Sequence, residues 1–423
     1  MRRAVPLTLW VVLAGSAAMA DEVTDWNRIM LDAFLVPPAV GAPLAQRPAA
    51  IVAASVFDAV NGIAQRYTPI HVAPAAAPGA SKRAAAVQAA YASLVRLFPA
   101  QTATFDEKRT FSLIGISSGW AAEKSESIQR GIEWGQGVAD AIWQWRSTDG
   151  FSNVQPPFLG GSATGQWRPT PPAHAPGLAP QMATMTPWAI QSPSQFRPAG
   201  PAPLTSSRYA ADLNETETMG SISSASRTAD ETLYVQFWNS TSPADFWDPV
   251  ATSLSARRHF TLMENARLLA SLNLALADSV IGCWDAKYTF DSWRPVTAIS
   301  LADTDGNPAT TADLTWTPLI VTPPFPEYPS AHSCVSGAAA RVLADFFGEE
   351  TVFSMGSDTM PGVIRYFSSF QDALDEVKNA RVFGGIHFRT ACDDGQALGS
   401  AVGEYILGHA LLPVHGNPHV RDH

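Results

Sequence analysis

The sequence predicts an all-α protein, on three observations. Apolar residues recur at spacings of three and four through most of the chain, strand-like alternation is nearly absent, and the one long stretch without helical periodicity is dense in Pro, Gly, Ser and Trp. A chain of 423 residues with 46% hydrophobic and 16% charged residues has the material for a large core. Lys+Arg 28 against Asp+Glu 38 gives a net charge of -10 and no basic stripe, which argues against a nucleic-acid partner because phosphate neutralisation dominates that affinity. Substrate attraction must therefore be local.

Taken in order, residues 1–20 read as a secretory signal peptide: Arg2 and Arg3, an apolar stretch from Leu7 to Ala14, then Ala18-Met19-Ala20 before Asp21. The apolar run is too short to span a bilayer, and the mature chain, 21–423, is expected in the periplasm or outside the cell. Residues 21–150 read as packed helices around Trp26–Leu35, Ala49–Ile63, Ser81–Leu97 and Ala121–Trp145. Residues 151–225 read as a mostly irregular arm, with helical patterning resuming near Tyr209. Phe158, Trp167, Trp188 and Phe196 are expected to pin the arm to the surface. Residues 226–412 form the expected helical core: Thr228–Trp238, Pro249–Gly282, and three helices starting near Ser330, Asp372 and Gly395. Asn273 and Asp278 interrupt the apolar run Leu268–Gly282, marking a core helix rather than a membrane span.

Residues 413–423 are a tail whose His415, His419 and His423 are too sparse for a metal site. Asp303–Asn307 with Pro308 is a turn signal whose spacing does not fit the EF-hand ligand order, so a plain turn is the favoured reading, with calcium binding left open. Cys283, Cys334 and Cys392 are odd in number, which excludes a complete disulfide framework and leaves one bridge open. They read as small packing residues, none of them a nucleophile.

Four positions carry candidate chemistry. Lys287 ends the apolar face Leu269, Leu272, Leu276, Val280, where an ammonium either snorkels to water or meets an anion. Arg294 precedes Pro295, which is expected to end the helix and turn the guanidinium back toward Lys287. The stiff run Pro323–Pro329 leads to Ser330-Ala331-His332, where a helix start offers free N–H groups and the dipole to an anion, or an ordinary serine cap. His332 there is placed to move a proton. Asp372–Phe388 reads as one helix with Arg381 on its inner face, and Gly384-Gly385 leaves room for His387 to reach a ligand, although a lone histidine is as readily a core residue.

Lys287 with Arg294-Pro295, then Pro329-Ser330-Ala331-His332, then Arg381 with His387, stand in an order that resembles the vanadium-dependent haloperoxidases and the related type 2 phosphatidic-acid-phosphatase acid phosphatases. Trp188, Arg197-Pro198 and Phe237-Trp238 look like the secreted bacterial branch of the haloperoxidases. The resemblance implies helices arranged as two four-helix bundles and a vanadate cofactor, with phosphate able to occupy the same site. It implies His387 as the ligand to vanadium and His332 as the acid–base group. Lys287, Arg294 and Arg381 would neutralise the oxyanion, with Ser330 and the Ala331 N–H as further donors. Hydrogen peroxide and halide are the implied partners, with a small organic substrate a further one, and oligomeric state is left open. Trp284 and Phe325 resemble aromatics on the halide side of fungal chloroperoxidases, or are core packing. The same pocket implies an alternative, phosphate-ester hydrolysis through a phosphohistidine; a non-catalytic oxyanion-binding protein is a third reading. The chain departs from the pattern in two places. Ala331 stands where glycine is usual, and Ala391 where an aspartate often follows the histidine, so Asp393 or Asp394 is the expected partner of the His387 ring.

Overall fold

The structure, a computed structural model, describes residues 21–414 apart from 42, 120, 154 and 241. The signal peptide and the three tail histidines lie outside the described residues. Asp21 opens the first helix as a cap: its carboxylate accepts from the N–H groups of Val23 and Thr24, and Thr24 answers with its side chain. Helices α1 (Glu22–Leu35), α2 (Gln46–Ala64), α3 (Lys82–Leu97), α4 (Thr102–Ser117) and α5 (Ser125–Arg146) follow, with α2, α3 and α5 packed together. α4 has no counterpart in the sequence reading, and its composition explains why. Phe105 and Ile116 are its only buried residues, while Phe111 and Ile114 face water, so no apolar stripe forms.

Residues 147–206 form the arm, whose only helical piece among the described residues is the 3-10 turn Pro180–Thr184. It is fastened from beneath. Asp278, buried, accepts from the N–H groups of Trp188 (2.6 Å), Ala189 (2.8 Å) and Ile190 (3.0 Å). The polar residue that interrupts the apolar run is therefore the arm's anchor. Trp167 is buried as expected, and Arg197 pairs with Asp285 at 2.6 Å.

Past the arm come α6 (Ser207–Gly220), α7 (Ala229–Trp238), α8 (Pro243–Arg257) and α9 (Leu262–Phe290). The expected single helix Pro249–Gly282 is two helices, with Pro249 inside the first and a break before the Thr261–Glu264 capping box opens the second. α9, 29 residues and roughly 43 Å long, is the spine shared by both halves. It packs on α2 at one side and, at the other, on α11 (Ala331–Phe347) and α13 (Arg389–His409). By length and composition it is able to cross a membrane, but 94% of its apolar window is buried within the protein.

The short helix α10 (Pro295–Ser300) corrects the reading of Pro295: the proline starts a helix instead of ending one, with Arg294 as its extended N-cap residue. α9 itself stops earlier, at Asp291 in the left-handed conformation (φ 48°). Strands β1 (Phe353–Gly356) and β2 (Ile364–Phe367) form an antiparallel hairpin, in register from Phe353 opposite Phe367 to Gly356 opposite Ile364. α12 (Phe370–Phe383) ends five residues before the expected Phe388, because Gly384 and Gly385 (φ 77°) turn the chain; α13 begins at Arg389 instead of near Gly395. α11 and α13 lie so close that a methyl group on Gly399 would sit 1.8 Å from the Cys334 carbonyl oxygen.

Asp305 sits in the 303–308 turn with its carboxylate taking the Asn307 N–H (2.6 Å) and the Thr310 hydroxyl (2.8 Å), as in an Asx-type turn. The three cysteines are free and buried.

Candidate oxyanion site

Four helices and the turn before α13 deliver the expected residues to one place. Lys287 lies in the last turn of α9, Arg294 caps α10, Ser330-Ala331-His332 open α11, Arg381 ends α12, and His387 stands in the turn to α13 rather than on a helix. The Ser330 N–H donates to the Ala391 carbonyl at 2.9 Å, which ties the start of α11 to α13. Lys287, Arg294 and Ser330 expose nothing, Arg381 1% and His387 2%. Ala331, His332, Arg381 and His387 line a cavity of about 350 Å³ whose other walls include Trp284, Phe325, Val280, Val335 and Ile386. Lys287, Arg294 and Ser330 stand behind that wall.

The cations are poorly neutralised. Lys287 gives its three donors to the carbonyls of Pro326 (2.9 Å), Glu327 (2.9 Å) and Pro329. It is thus a buried charge in a carbonyl cradle, not a snorkelling side chain. Burial brings its pKa down to about 8, with the nearby Arg294 acting in the same direction. Arg294 donates Nε to Phe325 O (2.8 Å) and Nη1 to Ile386 O (2.7 Å), and burial lowers it to about 9. Arg381 donates to Trp238 O (3.0 Å) and Asn239 Oδ1 (3.2 Å), and burial lowers it to about 10. The ring faces of Trp284 and Phe325 meet at 5.1 Å between centroids, with Lys287 Nζ 5.0 Å and Arg294 Cζ 4.8 Å from the Phe325 centroid. Trp284 is held by its Nε1 donating to Leu178 O (3.2 Å), so the arm buttresses this wall.

Several polar atoms here are buried with nothing to bond. Arg294 Nη2, Arg381 Nε and His332 Nε2 have no partner, and the Ser330 hydroxyl, which does not cap its helix, has only the weak Cys392 thiol near it. Native proteins rarely leave such groups orphaned unless a ligand satisfies them. Both histidines are neutral, held well below the ordinary imidazole value. Burial comes first for each; Arg381 then weighs most on His332, and Arg294, Lys287 and Arg381 on His387. Two guanidiniums with free donors, a third buried cation and a hydroxyl around two neutral imidazoles suit a tetrahedral oxyanion.

The expected carboxylate partner of His387 is corrected. Asp393 pairs with Arg208 (3.2 Å) and Lys378 (3.4 Å), and Asp394 takes the Tyr328 hydroxyl. The residue that meets Nδ1 is Glu327, at 2.9 Å, and it is the site residue that sequence reasoning missed. Its one signal is a lone charged residue inside the apolar, proline-rich run Pro323–Pro329. Burial pushes its carboxyl up to about 7 against the pull of the Phe388 N–H and Arg294.

The family described as the VCPO second helical-bundle domain matches residues 267–416, a stretch that holds Lys287, Arg294, Ser330, His332, Arg381 and His387. The fold agrees over nearly the whole chain with a bacterial vanadium-dependent iodoperoxidase, at TM-score 0.78 and 25% identity, covering 92% of this chain and 97% of that one. The chain has the fold of the vanadium haloperoxidases and matches their second helical bundle in sequence. The vanadium chloroperoxidase of Curvularia inaequalis is 26% identical over 172 residues, covering 29% of this chain and 27% of that protein, so the match spans about a quarter of the fungal haloperoxidase. A holo-type bacterial vanadium-dependent chloroperoxidase shares the haloperoxidase fold at TM-score 0.66 and 17% identity over 94% of each chain.

Proposed function

We propose that this protein is an exported vanadate-dependent haloperoxidase, which converts hydrogen peroxide, halide and a proton into hypohalous acid and water. The observation that carries the reading is that Arg294 Nη2, Arg381 Nε and the Ser330 hydroxyl are buried without a partner, while Arg294 Nη1 lies 3.1 Å from His387 Nε2. His387 would hold vanadium through Nε2. Arg294, Arg381, Ser330 and the Ala331 N–H would donate to the oxygens, with Lys287 adding charge from behind. Vanadate held there supplies Lewis acidity toward hydrogen peroxide.

What the chain's own groups do follows from their protonation. His332 lines the cavity as a neutral imidazole with Nε2 unpartnered, so it accepts a proton from an incoming peroxide and returns it to the departing oxygen. The buried cations stabilise negative charge at the oxyanion in a dry site, where such stabilisation is strongest. Trp284 and Phe325 give the anion's neighbour an apolar wall suited to a weakly hydrated halide, and the rest of the cavity's apolar lining accommodates a small organic acceptor. A carboxylate on Nδ1 of His387 also suits a nucleophilic histidine, which keeps phosphate-ester hydrolysis as the second reading.

The test is purified protein, mature from residue 21, assayed with and without orthovanadate. Peroxide-dependent halogenation of a phenolic dye that requires vanadate is the expected result. Hydrolysis of p-nitrophenyl phosphate that vanadate inhibits, with no halogenation, would replace this reading by the phosphatase one. Phosphate binding without either turnover would leave an oxyanion-binding protein.

A further inference from the structure

We propose that Glu327 is the positioning residue of His387, fixing the tautomer that leaves Nε2 as a bare lone pair toward the oxyanion. The inference deepens the oxyanion reading above and rests on it.

The argument is one of donors and acceptors. His387 Nε2 lies 3.1 Å from Arg294 Nη1, and a guanidinium has hydrogens to give and no lone pair to receive. Nε2 is therefore the acceptor, and the ring proton of neutral His387 sits on Nδ1. Nδ1 faces Glu327 Oε1 at 2.9 Å, the one neighbour able to take that proton in a hydrogen bond. The two flanking groups demand the same tautomer. The same oxygen accepts the Phe388 N–H at 3.0 Å, so one carboxylate oxygen holds both the ring and the backbone just beyond it.

Glu327 is itself clamped. Its N–H donates to Ser292 O at 2.9 Å, its carbonyl accepts from Lys287 at 2.9 Å, and its side chain is buried with that of His387. The segment that opens α11 thus carries the support for a histidine 60 residues further on. An arriving oxyanion would replace Arg294 at Nε2 and meet a lone pair already aimed, with Arg294 freed to donate to it. Carboxylates in this position orient a ligating imidazole and raise its basicity.

The experiment uses the full mature protein with ¹⁵N-labelled histidine, in Glu327→Gln and Glu327→Ala forms. Without any anion, ring ¹⁵N spectra should show His387 protonated at Nδ1 in the wild type, held so in Glu327→Gln, whose amide oxygen still accepts, and lost or mixed in Glu327→Ala. Orthovanadate dissociation constants should rise about 10-fold in Glu327→Gln and toward 100-fold in Glu327→Ala. If Glu327→Ala does not fold, Glu327→Gln decides alone by its ring spectrum: a His387 ring protonated at Nε2 there overturns the proposal. So does a wild-type ring protonated at Nε2, or a Glu327→Ala protein with unchanged tautomer and affinity. If the wild type binds no vanadate, the oxyanion reading falls, and the ring spectra still decide whether Glu327 sets the tautomer.

Discussion

A tetrahedral anion should stabilise this protein, and the stabilisation should fade as pH rises through about 7 to 9. Burial brings Lys287 from 10.5 down to about 8, and Arg294 and Arg381 from the ordinary guanidinium value down to about 9 and about 10. At roughly 1.4 kcal/mol per tenfold change in acidity, every one of these cations carries a penalty on the order of 3 to 5 kcal/mol in the anion-free fold. For a cation with a depressed folded pKa, that penalty is complete below the folded pKa and is relieved as pH rises from there toward the unfolded value. An anion relieves it at lower pH by supplying the missing charge. Above about 8, Lys287 is already losing its proton, so the anion has less to relieve. Glu327 acts earlier and in the same sense: with its carboxyl raised to about 7, it becomes negative as pH passes that value and subtracts from the positive cage.

The size is set by mass action. An anion at 100 times its dissociation constant adds about 2.7 kcal/mol. About 400 residues at roughly 2.1 cal/mol/K each have an unfolding entropy near 0.8 kcal/mol/K, so the melting temperature should rise by about 3 °C. Thermal unfolding followed by tryptophan fluorescence at pH 6, 7, 8 and 9, with orthovanadate, phosphate and chloride, measures it. Sulfate, whose charge is constant over this range, separates the protein's titration from that of the ligand. A rise of 3 °C at pH 6 that shrinks toward pH 9 is expected. Equal shifts with chloride, or a shift with sulfate that is flat across pH 7 to 9, would refute the charge-cage argument.

Two further perturbations separate roles that share one cavity. His387→Ala should abolish retention of vanadate through gel filtration, whereas His332→Ala should keep the anion and lose turnover by 10²-fold or more, measured as bound vanadium and peroxide-dependent halogenation; equal loss of vanadium in both would contradict the assignment. Asp278→Asn leaves at least one of the N–H groups of Trp188, Ala189 and Ile190 without an acceptor in a buried place, so unfolding should be easier by roughly 2–4 kcal/mol, and limited proteolysis should cut within residues 151–206 first; an unchanged denaturation midpoint would show that the arm is held by other contacts.

Much of this architecture is readable from residue type and period alone. Helical periodicity locates α1, α2, α3, α5 and α7 to within a few residues, because each buries a broad apolar face. α4 escapes because it buries almost nothing, and the hairpin Phe353–Phe367 because strands of four residues are too short for alternation to register. Proline misleads at two places for the same reason. Pro249 and Pro295 are each compatible with a helix start, a helix interior with one bond missing, or a helix end, and only the neighbours in space decide among them.

The site divides along a similar line. Cations and imidazoles announce an anion because burying them otherwise is costly, so Lys287, Arg294, Arg381, His332 and His387 stand out in the sequence. What holds them in place is written elsewhere. The groups that receive Lys287 are the backbone carbonyls of Pro326, Glu327 and Pro329, and a carbonyl looks the same at every residue. Glu327 is a distinct side chain, yet its value lies in facing His387 across 60 residues, a pairing that the packing of α11 against α13 creates and no local pattern encodes. The Ala391 position shows the consequence: a carboxylate missing from the helix after the histidine is not missing from the site, since the residue that meets Nδ1 reaches it from the other chain segment of that same helix pair.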